Sequence, residues 1–134
     1  MNEKLKNRIG ILSQLANIDG NFDVRELAFI YNVCLRNGVE VDSVAGIIAK
    51  PHNAVVLHDL TLKEREEYLK DILLLMMIDG KILPKEIQFC QEMGVRLGFS
   101  LNGLTELISE LKYKNTITED LLTSKIEHLP KDNS

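Results

Sequence analysis

The residues whose types and spacing suggest chemistry are five carboxylates: Asp19, Asp23 and Glu26, and again Asp79 and Glu86. Oxygen ligands gathered on a turn are what a hard divalent cation takes, and the first set, with three of them, is the better provided. The same residues also suit a plainer task. Each Asp sits just ahead of a helix start, where unpaired backbone amides favour a negative acceptor. Asp23-Val24-Arg25-Glu26 has the form of a capping box, with Asp23 accepting from the third helical amide and Glu26 from the amide of the cap residue. Acidic residues are so common at helix starts that capping is the reading a cation site has to displace. The second copy has Leu83 where the first has Asp23.

Asp-Gly-x-aliphatic-x-x-x-Glu also invites comparison with the second half of an EF-hand loop. If Glu26 were the twelfth position, Leu15 and Asn17 would be the first and third; in the second copy these fall on Leu75 and Met77. A calcium loop needs oxygens there, so this is not an EF-hand. His52, His58 and His128 are too scattered for a zinc site. Ser, Cys and His form no triad-like arrangement, and no glycine-rich cradle follows a strand. Cys34 and Cys90 sit among apolar neighbours in helical patterns, without metal-ligand spacing, and read as reduced core thiols. Phe29 and Phe89 read as core. With no cleft of perturbed titratable groups in prospect, the expectation is a non-enzymatic protein.

The elements that position these carboxylates are helices. Leu5, Ile9, Leu12, Leu15 and Ala16 recur at steps of three and four, one face of a helix ended by Asp19-Gly20. Leu27, Ile30, Tyr31, Cys34 and Leu35 make the next stripe, stopped by Gly38 with Val39 folding back on the last turn. Asp42 is placed to cap a short helix over 44–50, closed by Pro51; residues 52–60 read as a connection, with Val55, Val56 and Leu57 tacked onto the core. Thr61-Leu62-Lys63-Glu64 is a capping box opening a central helix that runs to Ile78. Its last seven residues, Ile72 to Ile78, are apolar all round, which implies burial; the run falls far short of the roughly 20 residues of a membrane span. Pro84 suits a first helical position, and that helix ends at Gly98. Asn102 is placed to cap a sixth helix through Leu111, Thr118 a seventh to about 129, and 130–134 should fray.

A shift of 60 positions (79 − 19) aligns the two halves. Leu15/Leu75, Ile18/Ile78, Asp19/Asp79, Gly20/Gly80, Glu26/Glu86, Phe29/Phe89, Arg36/Arg96, Gly38/Gly98 and Ile48/Ile108 are identical pairs, where composition alone gives roughly two to three. The expected architecture is all-α: one domain over 1–134, with three-helix repeats at about 3–50 and 62–111, a C-terminal helix at about 119–129, and the repeats closed into one pseudo-twofold bundle. Solenoids generally stack at least three copies.

The doubled phrase resembles the tellurite-resistance TerB-like family: a turn, Asp-Gly, an aliphatic two positions on, and Glu six after the glycine. That family includes the membrane-proximal domain of some DnaJ-type co-chaperones. The likeness covers about 12–108. Ile18 and Ile78 stand where the family often has Ala, and the chain contains neither a J-domain nor a transmembrane segment. The resemblance implies an all-helical fold, a bacterial stress-response setting and a link to divalent cations.

Net charge is −4 over 134 residues, 45% hydrophobic and 27% charged. That is an ordinary globular composition, without the basic excess that binding nucleic acid demands. Lys4, Lys6 and Arg8 precede apolar positions broken by Ser13, Gln14 and Asn17, so no signal-peptide core is present. The expected setting is the cytoplasm, without membrane insertion and with a protein partner or a second copy. The competing expectation is a structural homodimer or scaffold with no metal, every acidic motif residue a cap.

Overall fold

A computed structural model describes residues 3–18, 20, 23–49, 57, 59–78, 80–113 and 117–131. Among these the chain forms α1 (Glu3–Ala16), α2 (Val24–Arg36), α3 (Val41–Ala49), α4 (Leu62–Met77), α5 (Pro84–Arg96), α6 (Leu101–Tyr113) and α7 (Glu119–Glu127). The fold is all-α. No strand occurs among the described residues beyond a single antiparallel bridge between Phe99 and Lys131. Nor is any described helix long and apolar enough to cross a membrane.

The helices begin and end where local chemistry directs. Thr61 caps α4 in a full reciprocal box: its Oγ1 accepts from the Glu64 amide at 3.2 Å, and Glu64 Oε1 accepts from the Thr61 amide at 2.9 Å. Thr118 Oγ1 accepts from the Leu121 amide and opens α7. Pro84 stands at the start of α5, where no amide is needed. The ends of α2 and α5 are closed alike. The Val39 amide reaches back to the Cys34 carbonyl at 3.0 Å and the Phe99 amide to Gly94 at 3.0 Å, with Gly38 and Gly98 bonded to Leu35 and Val95. This is the paired closure in which the following apolar residue folds onto the last turn; Phe99 is wholly buried.

Three boundaries differ from expectation. Helix α3 starts at Val41, so Asp42 lies in its first turn instead of capping it. Helix α6 is opened by Ser100, whose carbonyl accepts from the Leu104 amide at 2.9 Å and whose Oγ accepts from the Gly103 amide at 3.4 Å; Asn102 is already helical. Of the segment 130–134, Pro130 and Lys131 are held down, not frayed, and 132–134 lie outside the described residues. The Ser100 amide donates to the Pro130 carbonyl at 2.9 Å, and the Lys131 ammonium lies 5.1 Å above the centre of the Phe99 ring. Val55, Val56, Pro51, His52 and His58 lie outside the described residues.

Packing is built on α1 and α4, which lie against each other. Helices α2 and α3 cover α1, α5 and α7 cover α4, and α6 sits on α5. The apolar girth of α4 is buried as expected through Leu69, Ile72, Leu73, Leu75 and Met76. Helix α1 shares the centre: Ile9 to Ser13, Leu15 and Ala16 are all buried, where the sequence promised only a stripe. The reason is that neighbours pack on it from three directions. Leu122 and Ile126 then close α7 onto α4, and Leu129, just past its end, lies beside Gly103 of α6. Helices α2 and α5 have bounds 60 positions apart at both ends (84 − 24 and 96 − 36), and α3 and α6 start 60 apart (101 − 41).

Among the described residues one buried side-chain polar atom is unpaired. Ser13 is fully buried and its Oγ makes no hydrogen bond. A buried hydroxyl without a partner costs more than its absence, and Ala is the better helix former. Ser13→Ala is therefore expected to raise the melting temperature by about 3–5 °C, read by circular dichroism. A fall would show that the hydroxyl contributes a contact of its own.

Candidate functional site

Of the five carboxylates, Asp19 and Asp79 lie outside the described residues. The glycines after them are described and are alike: Gly20 and Gly80 both have φ +76, a left-handed backbone that a side chain resists, and their amides donate to Asn17 and Met77 at 3.0 and 3.1 Å. Each turn is therefore tight, and a buried glutamate follows six residues after it. Glu26 is 4% exposed and Glu86 is 6% exposed.

Asp23 caps α2, but its carboxylate accepts from the second helical amide, that of Arg25, at 2.7 Å, and not from the third as the box pattern implied. The Arg25 guanidinium folds back onto both carboxylate oxygens at 3.3 Å. These side-chain and backbone hydrogen bonds from Arg25 hold the Asp23 carboxyl below its usual range. Glu86 Oε1 accepts from the Leu83 amide at 2.9 Å. It performs half of a capping box whose other half is missing, because Leu83 offers no side-chain acceptor. Asp23 and Glu26 thus share the first turn of α2, while Glu86 stands on α5. Among the described residues no three His, Cys, Asp or Glu side chains come together in a way that could hold a metal ion.

A second polar group went unread in the sequence. Arg8 of α1 and Asp71 of α4 form an ion pair across the central helix contact, with Nε and Nη2 both 2.5 Å from Asp71 Oδ2. Their side chains are only 14% and 5% exposed. The Arg8 guanidinium also lies 5.6 Å from the Tyr68 ring centre, a cation–π distance. The Tyr68 hydroxyl donates to the Lys4 carbonyl, tying the same two helices one turn away. Lys4 meets Glu64 at 3.1 Å on the exposed rim. Burial raises the Asp71 carboxyl despite the opposing Arg8 charge, and raises the Tyr68 phenol to about 12. The signal in the sequence was an acid set among Leu69, Ile72 and Leu73, and a base one residue before Ile9. The partner could not be named from either, since 63 positions separate them (71 − 8).

Two adjoining cavities open beside this pair, of about 170 and 220 Å³; both are lined by Arg8, Asn37 and Glu67. Cys34 and Cys90 are buried free thiols, both raised by burial, and the Cys90 thiol donates to Met76 Sδ at 3.5 Å. Thiols raised in this way are poor nucleophiles. His128, at the end of α7, has Nδ1 2.7 Å from the Ser124 carbonyl oxygen, and serves its own helix. No family model matches this chain, and no match was found among curated proteins or solved structures.

Two outcomes follow. Removing one member of the Arg8–Asp71 pair strands a buried charge, so Arg8→Met or Asp71→Asn should each cost about 3–5 kcal/mol in urea unfolding. Replacing both, Arg8→Met with Asp71→Leu, should be nearly neutral. For Asp23 the folded pKa lies below the unfolded value of about 3.9. Its stabilisation is therefore present above that value and lost as pH falls through the folded pKa. Asp23→Asn keeps a good cap, so its stability should fall less steeply than wild type on acidification.

Proposed function

We infer that this chain is a non-enzymatic, TerB-like interaction module of a bacterial stress response, working in the cytoplasm through protein contacts. The observation that supports this reading is the doubled turn: Gly20 and Gly80 with the same backbone angle, each followed by a buried glutamate on the first turn of the next helix. Its carboxylates are largely committed to the fold. Asp23 is engaged by Arg25, Glu86 by the Leu83 amide and Asp71 by Arg8. Groups so occupied serve as caps and clasps, and they favour a module that presents surfaces over one that transforms a substrate.

Cation tuning at Asp19, Asp23 and Glu26, with a weaker echo at Asp79 and Glu86, is the second reading. It draws on the burial of Glu26 beside Asp23 on a single turn. A backbone amide NMR titration of the chelator-stripped protein with calcium, magnesium and zinc separates the two. Flat spectra at 19–26 and 79–86 are expected if the acids are caps. Saturable shifts confined to those segments would make the module cation-responsive. A hydrolytic activity that disappears on Asp71→Asn, in a variant still folded, would overturn the non-enzymatic reading.

A further inference from the structure

The chain contains two Asn-Gly pairs, Asn37-Gly38 and Asn102-Gly103. This dipeptide can modify itself. The glycine nitrogen attacks the asparagine side-chain carbon Cγ and closes a five-membered succinimide. The Cγ–Nδ2 bond breaks, and ammonia leaves with the proton of the glycine amide. Water then opens the ring at either carbonyl, giving aspartate or isoaspartate. No oxidant or reductant is needed. Glycine suits the step because no Cβ hinders its nitrogen or restricts its backbone. The fold around each pair decides whether it reacts.

Asn37 caps the C-terminus of α2, with φ −103 and ψ 15. Ring closure requires the Gly38 nitrogen to eclipse Cβ about the Cα–C bond of Asn37, and at this ψ the nitrogen points away. Both reacting groups are also occupied. Asn37 Nδ2 donates to the Val33 carbonyl at 2.7 Å, and the Gly38 amide donates to Leu35 at 3.1 Å. The closed turn is therefore unreactive. Holding it closed are the hydrogen bonds of one helix end and the half-buried side chain of Val39. Leu35, Arg36, Asn37 and Gly38 are all exposed, and a Cβ added at Gly38 would meet nothing within 4 Å. Helix ends of this kind open at far smaller free energy than the whole domain.

Asn102-Gly103 is the same dipeptide in the opposite setting. Both residues are inside α6 and Gly103 is buried. A Cβ added there would meet the Pro130 ring at 2.9 Å. The segment after α7 covers this peptide, and the Ser100–Pro130 hydrogen bond must break before it can turn.

We propose that Asn37 is a site of spontaneous deamidation, gated by opening of the last turn of α2, and that Asn102 is protected by the segment after α7. An acid at position 37 cannot donate to the Val33 carbonyl, and its charge opposes the dipole at a helix C-terminus. It also adds a carboxylate to the cavity wall that Arg8 and Asp71 share. The modification thus weakens the end of α2 beside the α1–α4 contact. It does not depend on the TerB-like reading.

The test is incubation of the full chain at mildly alkaline pH, native and in urea, with peptide mass mapping of both pairs. In urea the two should gain the mass of amide-to-acid conversion at similar rates. In the native protein Asn37 should react at least about tenfold faster than Asn102, and more slowly than it does in urea. Equal native rates at the two pairs would overturn the proposal, as would a native Asn37 that outpaces the urea-unfolded chain. Asn37→Asp, which makes one of the products directly, should lower the melting temperature by about 3–6 °C. An unchanged value would overturn the weakening of α2.

Discussion

The contact between α1 and α4 is the constraint on which the remaining helices depend. Both helices are buried around most of their girth, so neither makes a stable surface without the other. Across that contact the chain places a buried arginine–aspartate pair and a tyrosine bonded to a backbone carbonyl. Apolar packing supplies most of the binding energy between two such helices, but it is indifferent to small slides along the axis. A paired charge is not. A buried ion pair is weak evidence of stability and better evidence of a fixed register, and Arg8 with Asp71 sets how far α1 lies along α4.

The all-helical character, the order of the helices and most of their ends were legible in the sequence, because each is a local matter. Thr61 and Glu64 meet three residues apart, and Pro84 and Thr118 act on their own first turns. Where local signals competed, the reading slipped. Asp42 and Asn102 are good caps in isolation, yet Val41 and Leu101 are already helical, and Ser100 takes the capping role for α6. The anchoring of Pro130 and Lys131 was illegible for a different reason. It depends on the backbone of Ser100 and the ring of Phe99, some thirty residues earlier.

The same distinction divides the candidate sites. The turns at Gly20 and Gly80 announce themselves because a left-handed glycine and a following acid lie within a few residues. The polar cleft does not, since it draws on α1, α2 and α4 together. A lone charge in an apolar stripe shows that a partner must exist. It cannot say which helix provides it. Asp71 was not singled out in the sequence, and only the fold makes it a pair with Arg8.

The placement of α7 bears on how the chain reaches its folded state. Helix α4 ends at Met77, but Leu122 and Ile126, which cover one of its faces, come more than forty residues later (122 − 77 = 45). During synthesis α1 to α3 can assemble while that face of the core remains bare. The apolar side of α4 is then a transient adhesive surface, of the kind that recruits chaperones or promotes aggregation. Its exposure ends only when α7 has left the ribosome and the Pro130–Lys131 segment has locked against Phe99 and Ser100. The docking of α7 thus closes that interval.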